Sequence, residues 1–216
     1  ASARLGAWLD TMLIDHGFVR VFYPNRWQVA DGVERSSHPT GRQVRHAAKR
    51  GVKTIINLRG DHPLGPSVLS ASACDETGLA LHYHKMRSRG MPTKEQIYGA
   101  KQVFETAQYP ILFHCTAGAD RAGMMSALYI LIAKQGSADE ALDQLSLRFG
   151  HIRWAKTGML DFFVDSYKAH NERQPIAFLE WVEHHYDEEA TRAAYYRAKR
   201  NAGWATLLVD YVLRRE

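Results

Sequence analysis

The sequence predicts an α/β fold: a central, mostly parallel sheet flanked by helices, followed by an all-helical carboxyl-terminal extension. Three observations predict it. Short apolar, β-prone runs alternate with helix-length stretches up to residue 115, the connections are long enough for crossovers, and strand signals stop beyond residue 121.

The elements follow in order. Leu5, Trp8, Leu9, Met12 and Leu13 recur at helical spacing, which predicts an amphipathic lead-in helix within residues 1–24. β-prone pieces at 18–23 and 27–34 run into ERSSHPTG, a turn whose Thr40 is suited to cap a helix over 41–50. After Gly51, KTIINL reads as a buried strand. A helix over 66–77, a strand ALHYHKM at 80–86, a helix over 93–107 and a strand PILFHC at 110–115 continue the alternation. Helices are then expected over 121–134, 137–148, 155–171, 175–186, 187–200 and 203–215. The main domain is expected to occupy 25–170, with NERQP at 171–175 opening an extension over 171–216. Aromatic residues of that extension, among them Phe178, Trp181, Tyr186 and Tyr195, need cover, which packing on the same domain would supply.

Composition narrows the class. With 216 residues, 45% of them hydrophobic, the chain can bury a sizeable core. The longest apolar run, MMSALYILIA at 124–133, falls short of the roughly 18–20 residues that a membrane span needs. The amino terminus interrupts its apolar pattern with acids and offers no small-residue cleavage site, so it does not read as an export signal, although one already removed would leave no trace. Two cysteines, Cys74 and Cys115, make no disulfide scaffold and no Cys-x-x-Cys pair, so a reducing, cytoplasmic setting is expected. His184, His185 and Glu188 lack a fourth ligand, and no metal or cofactor is expected. A net charge of +5 biases the surface towards anionic partners.

The chemistry concentrates in LFHCTAGADRAGMM, residues 112–125. An apolar strand ends in His114-Cys115, and Arg121 opens the next helix. Between them, Thr116, Ala117, Gly118, Ala119 and Asp120 carry mostly small side chains, which leaves their backbone N–H groups open to converge on an anion at a helix amino terminus. The arginine adds a planar fork for two phosphoryl oxygens. Amides, helix end and guanidinium together would favour the thiolate of Cys115, a nucleophile able to attack phosphorus.

This stretch resembles the phosphate-binding loop of the protein tyrosine phosphatase superfamily, in its small dual-specificity-like branch. The likeness extends more loosely over 25–165, through GVERSSHP, IINLRGD and the loop in that order. It implies phosphomonoester hydrolysis through a phosphocysteine, with phosphorylated protein or anionic phospholipid as substrate, no nucleic acid, and at most a peripheral membrane contact. Protein phosphotyrosine or dual-specificity phosphatase activity is what it favours; the alternatives are a phosphoinositide or other phospholipid as substrate, and a feeble enzyme that mainly binds phosphate.

Two departures stand out. The region HKMRSRGMPTKEQ, 84–96, holds no Asp where such enzymes carry their general acid, which leaves Asp120, then Asp61, then Glu95 as candidates. Ala122 replaces the hydroxyl residue that eases departure of the thiolate. Lys85, Arg87 and Arg89 are expected to form a basic substrate rim, with His151 and Arg153 as further rim candidates, while Arg59 is suited to brace the sheet end or the signature loop.

Overall fold

Every strand after the first hairpin enters the sheet by a parallel crossover. The computed structural model describes residues 24–61 and 65–201. The lead-in helix, the β-prone piece at 18–23 and the helix expected over 203–215 lie outside the described residues.

The strands are β1 (Trp27–Ala30), β2 (Val33–Ser36), β3 (Thr54–Asn57), β4 (Ala80–Tyr83) and β5 (Ile111–His114), in the order β1-β2-β5-β3-β4. β1 is antiparallel to β2, and all other pairings are parallel. What reads as one β-prone piece at 27–34 is a hairpin, because Asp31-Gly32 supplies the turn and Gly32 takes a positive φ of 68°. β3 and β5 are buried along their whole length, as expected of central strands covered on both faces.

The helices are α1 (Gly41–Lys49), α2 (Gly65–Thr77), α3 (Lys94–Thr106), α4 (Asp120–Ile132), α5 (Ala138–Asp143), α6 (Met159–Asn171), α7 (Phe178–His184) and α8 (Glu188–Asn201). Thr40 caps α1 reciprocally. Its hydroxyl accepts from the Gln43 N–H at 3.3 Å, and the Gln43 side chain accepts from the Thr40 N–H at 2.8 Å. Val44 and Ala47 of α1 then pack with Ile55, Ala73, Cys74, Leu79 and Leu112 in one apolar cluster over the sheet.

The described chain forms two compact units. One runs up to Met86 and resumes over Val103–Ala122; the other comprises Arg87–Gln102 and the chain from Gly123 onward. The first holds the sheet, α1 and α2. The second is helical, with an aromatic centre: Phe163 lies 5.7 Å from Trp181 and 5.0 Å from Tyr186, and Tyr167 lies 5.1 Å from Phe178. The Tyr186 hydroxyl donates to the Pro92 carbonyl at 2.6 Å, tying 87–102 to the chain just after α7.

Three expected helices are shorter than their periodicity suggests, and the one over 175–186 is helical only at Phe178–His184. The one over 137–148 ends at Asp143, and a single 3-10 turn follows at Leu147–Phe149. The one over 155–171 begins with a 3-10 turn at Lys156–Gly158, where a Cβ on Gly158 would stand 1.8 Å from the Arg153 carbonyl oxygen. Apolar spacing survives these interruptions, so periodicity alone cannot place them.

Candidate active site

The residues that carry the expected chemistry lie at the carboxyl ends of adjacent parallel strands, where α/β folds collect their sites. β5 ends at His114, whose register partners are Ser36 of β2 and Asn57 of β3. Past these ends the chain makes three turns: 115–119 after β5, 37–40 after β2 and 58–61 after β3. The Leu58 N–H donates to the His114 carbonyl at 2.9 Å, holding two of these ends level.

Cys115 is 3% exposed, directly after the fully buried β5. Thr116 and Arg121 are half-buried, and the Arg121 guanidinium donates to the Thr116 hydroxyl at 2.8 Å, which closes the loop across its mouth. Gly118 has a φ of +75°. A Cβ there would meet the Ser37 nitrogen at 2.6 Å and the Ser36 carbonyl carbon at 2.7 Å, so glycine is required for both conformation and approach.

Four successive loop carbonyls are held from one short segment of chain, residues 25–38. The His38 N–H donates to the Thr116 oxygen at 3.1 Å, Asn25 Nδ2 to the Ala117 oxygen at 2.9 Å, and Arg35 Nη2 to the Gly118 and Ala119 oxygens at 2.9 Å each. A trans peptide is planar, with its N–H opposed to its C=O. The N–H groups of Ala117, Gly118, Ala119 and Asp120 are therefore turned away from that segment, as a set. Successive N–H groups aimed to one side, at the start of a helix, form an anion cradle.

Arg35 is fully buried, on the strand face it shares with Val33. Burial pulls its pKa down to about 10, while the nearby Cys115 and Asp120 groups pull the other way. It remains a cation at neutral pH. Sequence reading missed it, although an arginine two residues after a buried valine in a strand is a signal that something polar waits inside.

The neighbouring turn adds a second brace. Arg59 Nη1 lies 3.1 Å from His38 Nδ1, and His38 Nε2 lies 3.2 Å from the Ser70 hydroxyl. Because a guanidinium can only donate, Nδ1 accepts and Nε2 carries the hydrogen, which assigns His38 as the neutral Nε2–H tautomer. The His38 ring also packs 4.5 Å from that of His114. Arg59 thus supports the residue whose own N–H holds Thr116.

The two leading acid candidates have different surroundings. Asp120 is half-buried in the first turn of α4 and close enough to Arg35 to influence its charge. Asp61 is exposed beyond β3, and its charge helps to raise the pKa of Tyr83 at the end of β4, after burial as the larger cause. Lys85 is exposed too, and its stem lies against Gly60, 3.2 Å from where a Cβ there would stand. Glu95 sits in the first turn of α3, in the helical unit.

The remaining rim candidates belong to the helical unit. Arg87 and Arg89 are exposed, and Arg87 pairs with Glu188 at 2.7 Å. Arg153 pairs with Asp165 at 2.5 Å. His151 does not fit a rim: it is fully buried, with Nε2 2.6 Å from Asp161 Oδ2, so its imidazole joins residues of its own unit instead of meeting solvent. Cys74 lies in the apolar cluster, where burial, and then the Asp75 charge, push its thiol up to about 11. A thiol so placed stays protonated and unreactive at neutral pH.

Over residues 30–158 the chain matches the family described as DSP-PTPase phosphatase fused to NAD+ kinase, and it belongs to that family. No curated protein matches it. Among solved structures it is similar to TpbA of P. aeruginosa, with 18% identity over 67% of this chain and 89% of that one and a TM-score of 0.54. It is similar to Tk-PTP in its active form, with 18% identity over 68% of this chain and 98% of that one and a TM-score of 0.54. The core catalytic domain of the PP-IP phosphatase SIW14 from S. cerevisiae, in complex with citrate, is 19% identical over 82% of this chain and 94% of that one, with a TM-score of 0.51. At these identities the likeness establishes the fold.

Proposed function

We propose that the protein hydrolyses phosphomonoesters through a phosphocysteine on Cys115, with phosphotyrosine in proteins as its substrate. The observation that carries this reading is the set of four loop carbonyls held from behind, which leaves four N–H groups and Arg121 to receive a phosphoryl dianion beside the thiol. Cys115 Sγ attacks phosphorus and the P–O ester bond breaks. The leaving oxygen takes a proton from Asp120 or Asp61. Water then attacks the phosphocysteine, the same carboxylate receives its proton, the P–S bond breaks, and inorganic phosphate departs.

Membership of a dual-specificity-like phosphatase family supports the reaction class. For the substrate, TpbA, which shares the fold, has been crystallised in complex with pTyr. A second reading, an inositol phosphate or phosphoinositide, draws support from the exposed Lys85, whose stem lies against Gly60, and from the PP-IP phosphatase activity named for SIW14.

The test is hydrolysis of an aryl phosphate with and without vanadate, followed by a panel of phosphotyrosyl peptides and inositol phosphates at fixed salt. Cys115→Ser should abolish turnover, and unaltered activity in that variant would overturn the reaction proposed. Preference for inositol phosphates over every peptide would replace the substrate. Comparing Asp120→Asn with Asp61→Asn on aryl and alkyl phosphates identifies the acid, whose variant should suffer most on the poorer alkyl leaving group.

A further inference from the structure

The segment GVERSSHP precedes the reactive loop by some eighty residues, and none of its side chains takes part in the chemistry above. We propose that Arg35 of this segment is a positioning residue for phosphoryl binding, which orients the Ala119 and Asp120 amides through the carbonyls of Gly118 and Ala119 and sets a fixed positive charge behind them. The proposal rests on the reading of 115–121 as a phosphate cradle.

Three features support it. First, the contact is double: one guanidinium nitrogen meets two successive carbonyls at 2.9 Å each, so both peptide planes are held by a single buried guanidinium. Second, those peptides are aligned. Their negative ends face the guanidinium and their positive ends face the opposite way, so the buried charge polarises both dipoles towards an anion on the far side. Third, the other two supports bring no charge, since Asn25 offers a neutral amide and His38 a backbone N–H. Burying a guanidinium is costly, and an apolar side chain of similar volume would fill the space more cheaply. It would also leave both carbonyls without this donor and free the two peptides to rotate.

The three supports therefore separate two contributions. Arg35→Met removes charge and anchoring, Arg35→Lys keeps the charge but replaces the planar fork with a single ammonium, and Asn25→Ala removes one anchor without altering charge. The measurement is binding of inorganic phosphate and of vanadate to each variant by calorimetry, well below its melting temperature, with kcat and KM for an aryl phosphate alongside. Arg35→Met should weaken vanadate binding by about tenfold or more, the scale of losing an oriented donor in an anion site. Arg35→Lys should recover part of that loss, and Asn25→Ala should show a smaller one.

A purely structural role predicts a different result, a lower melting temperature with phosphate and vanadate affinities equal to wild type. That outcome in folded Arg35→Met would overturn the proposal. If Arg35→Met does not fold, wild-type affinities in both Arg35→Lys and Asn25→Ala would overturn it equally. Binding does not require turnover, so a failure of Cys115 as nucleophile shows up in Cys115→Ser hydrolysis, separately from a failure of Arg35 in calorimetry.

Discussion

Gly118 shows how closely a single position can be specified. Its φ of +75° costs a residue with a Cβ about 1–2 kcal/mol, and the added atom would also stand 2.6 Å from a backbone nitrogen in the 36–37 turn. Backbone cannot give way as a flexible side chain can. Gly118→Ala should therefore lower stability by about 2 kcal/mol or more, and vanadate inhibition should weaken with it. Denaturant unfolding and inhibition assays check both; a variant equal to wild type in each would mean that the loop does not need this conformation. Four residues on, Ala122 is fully buried at the position where the resemblance to dual-specificity-like phosphatases implies a hydroxyl. On the mechanism proposed above, lack of that hydroxyl should slow phosphocysteine breakdown, giving a burst of one product per enzyme. Ala122→Ser should speed the second step by about tenfold, the worth of one hydrogen bond to a charged group, and shrink the burst. Strictly linear release from the first turnover of the wild-type enzyme would refute this.

Among the elements, α1 was the most legible, because everything that starts it lies within four letters, Thr40 to Gln43. The hydroxyl and the amide satisfy each other's backbone partners, and the apolar pair Val44 and Ala47 turns inward. Thr40→Ala should cost about 1 kcal/mol, seen as a lower urea midpoint with KM unchanged, since its side chain bonds only within the cap. A change in KM would show that the cap also sets the 37–40 turn. The central strands were legible for a similar reason, as continuous apolar runs between turn residues. The interrupted helices were not. The break at Gly158 depends on the approach of the Arg153 carbonyl, and the end of α5 at Asp143 precedes a stretch whose residues still look helical. His151 was misplaced for the same reason: a histidine between helices reads as exposed until a buried carboxylate ten residues later, Asp161, gives it a partner.

At the scale of the whole chain, the same division between local and distant information governs the site. Cys115, Arg121 and the small residues between them fall within seven positions and read as a unit. The residues that hold this loop, Asn25, Arg35 and His38, lie some eighty to ninety positions earlier, and the pairing of β2 with β5 brings that segment alongside it. Charge, by contrast, acts without any such pairing. The net charge of +5 attracts anions from a distance, and its influence is screened over a Debye length of about 8 Å at physiological salt. Capture of a multiply phosphorylated substrate should accordingly be salt-sensitive, because the interaction scales with substrate charge, while the chemical step inside the half-buried loop should not be. Raising ionic strength from about 0.05 M to about 0.5 M should lower kcat/KM for an inositol polyphosphate by about tenfold, with kcat nearly constant and only a small change for an aryl phosphate. Steady-state kinetics on the two substrates across that range makes the comparison. Equal salt dependence for both would mean that the excess positive charge lies away from the path to Cys115, and would remove charge steering as an argument for a polyanionic substrate.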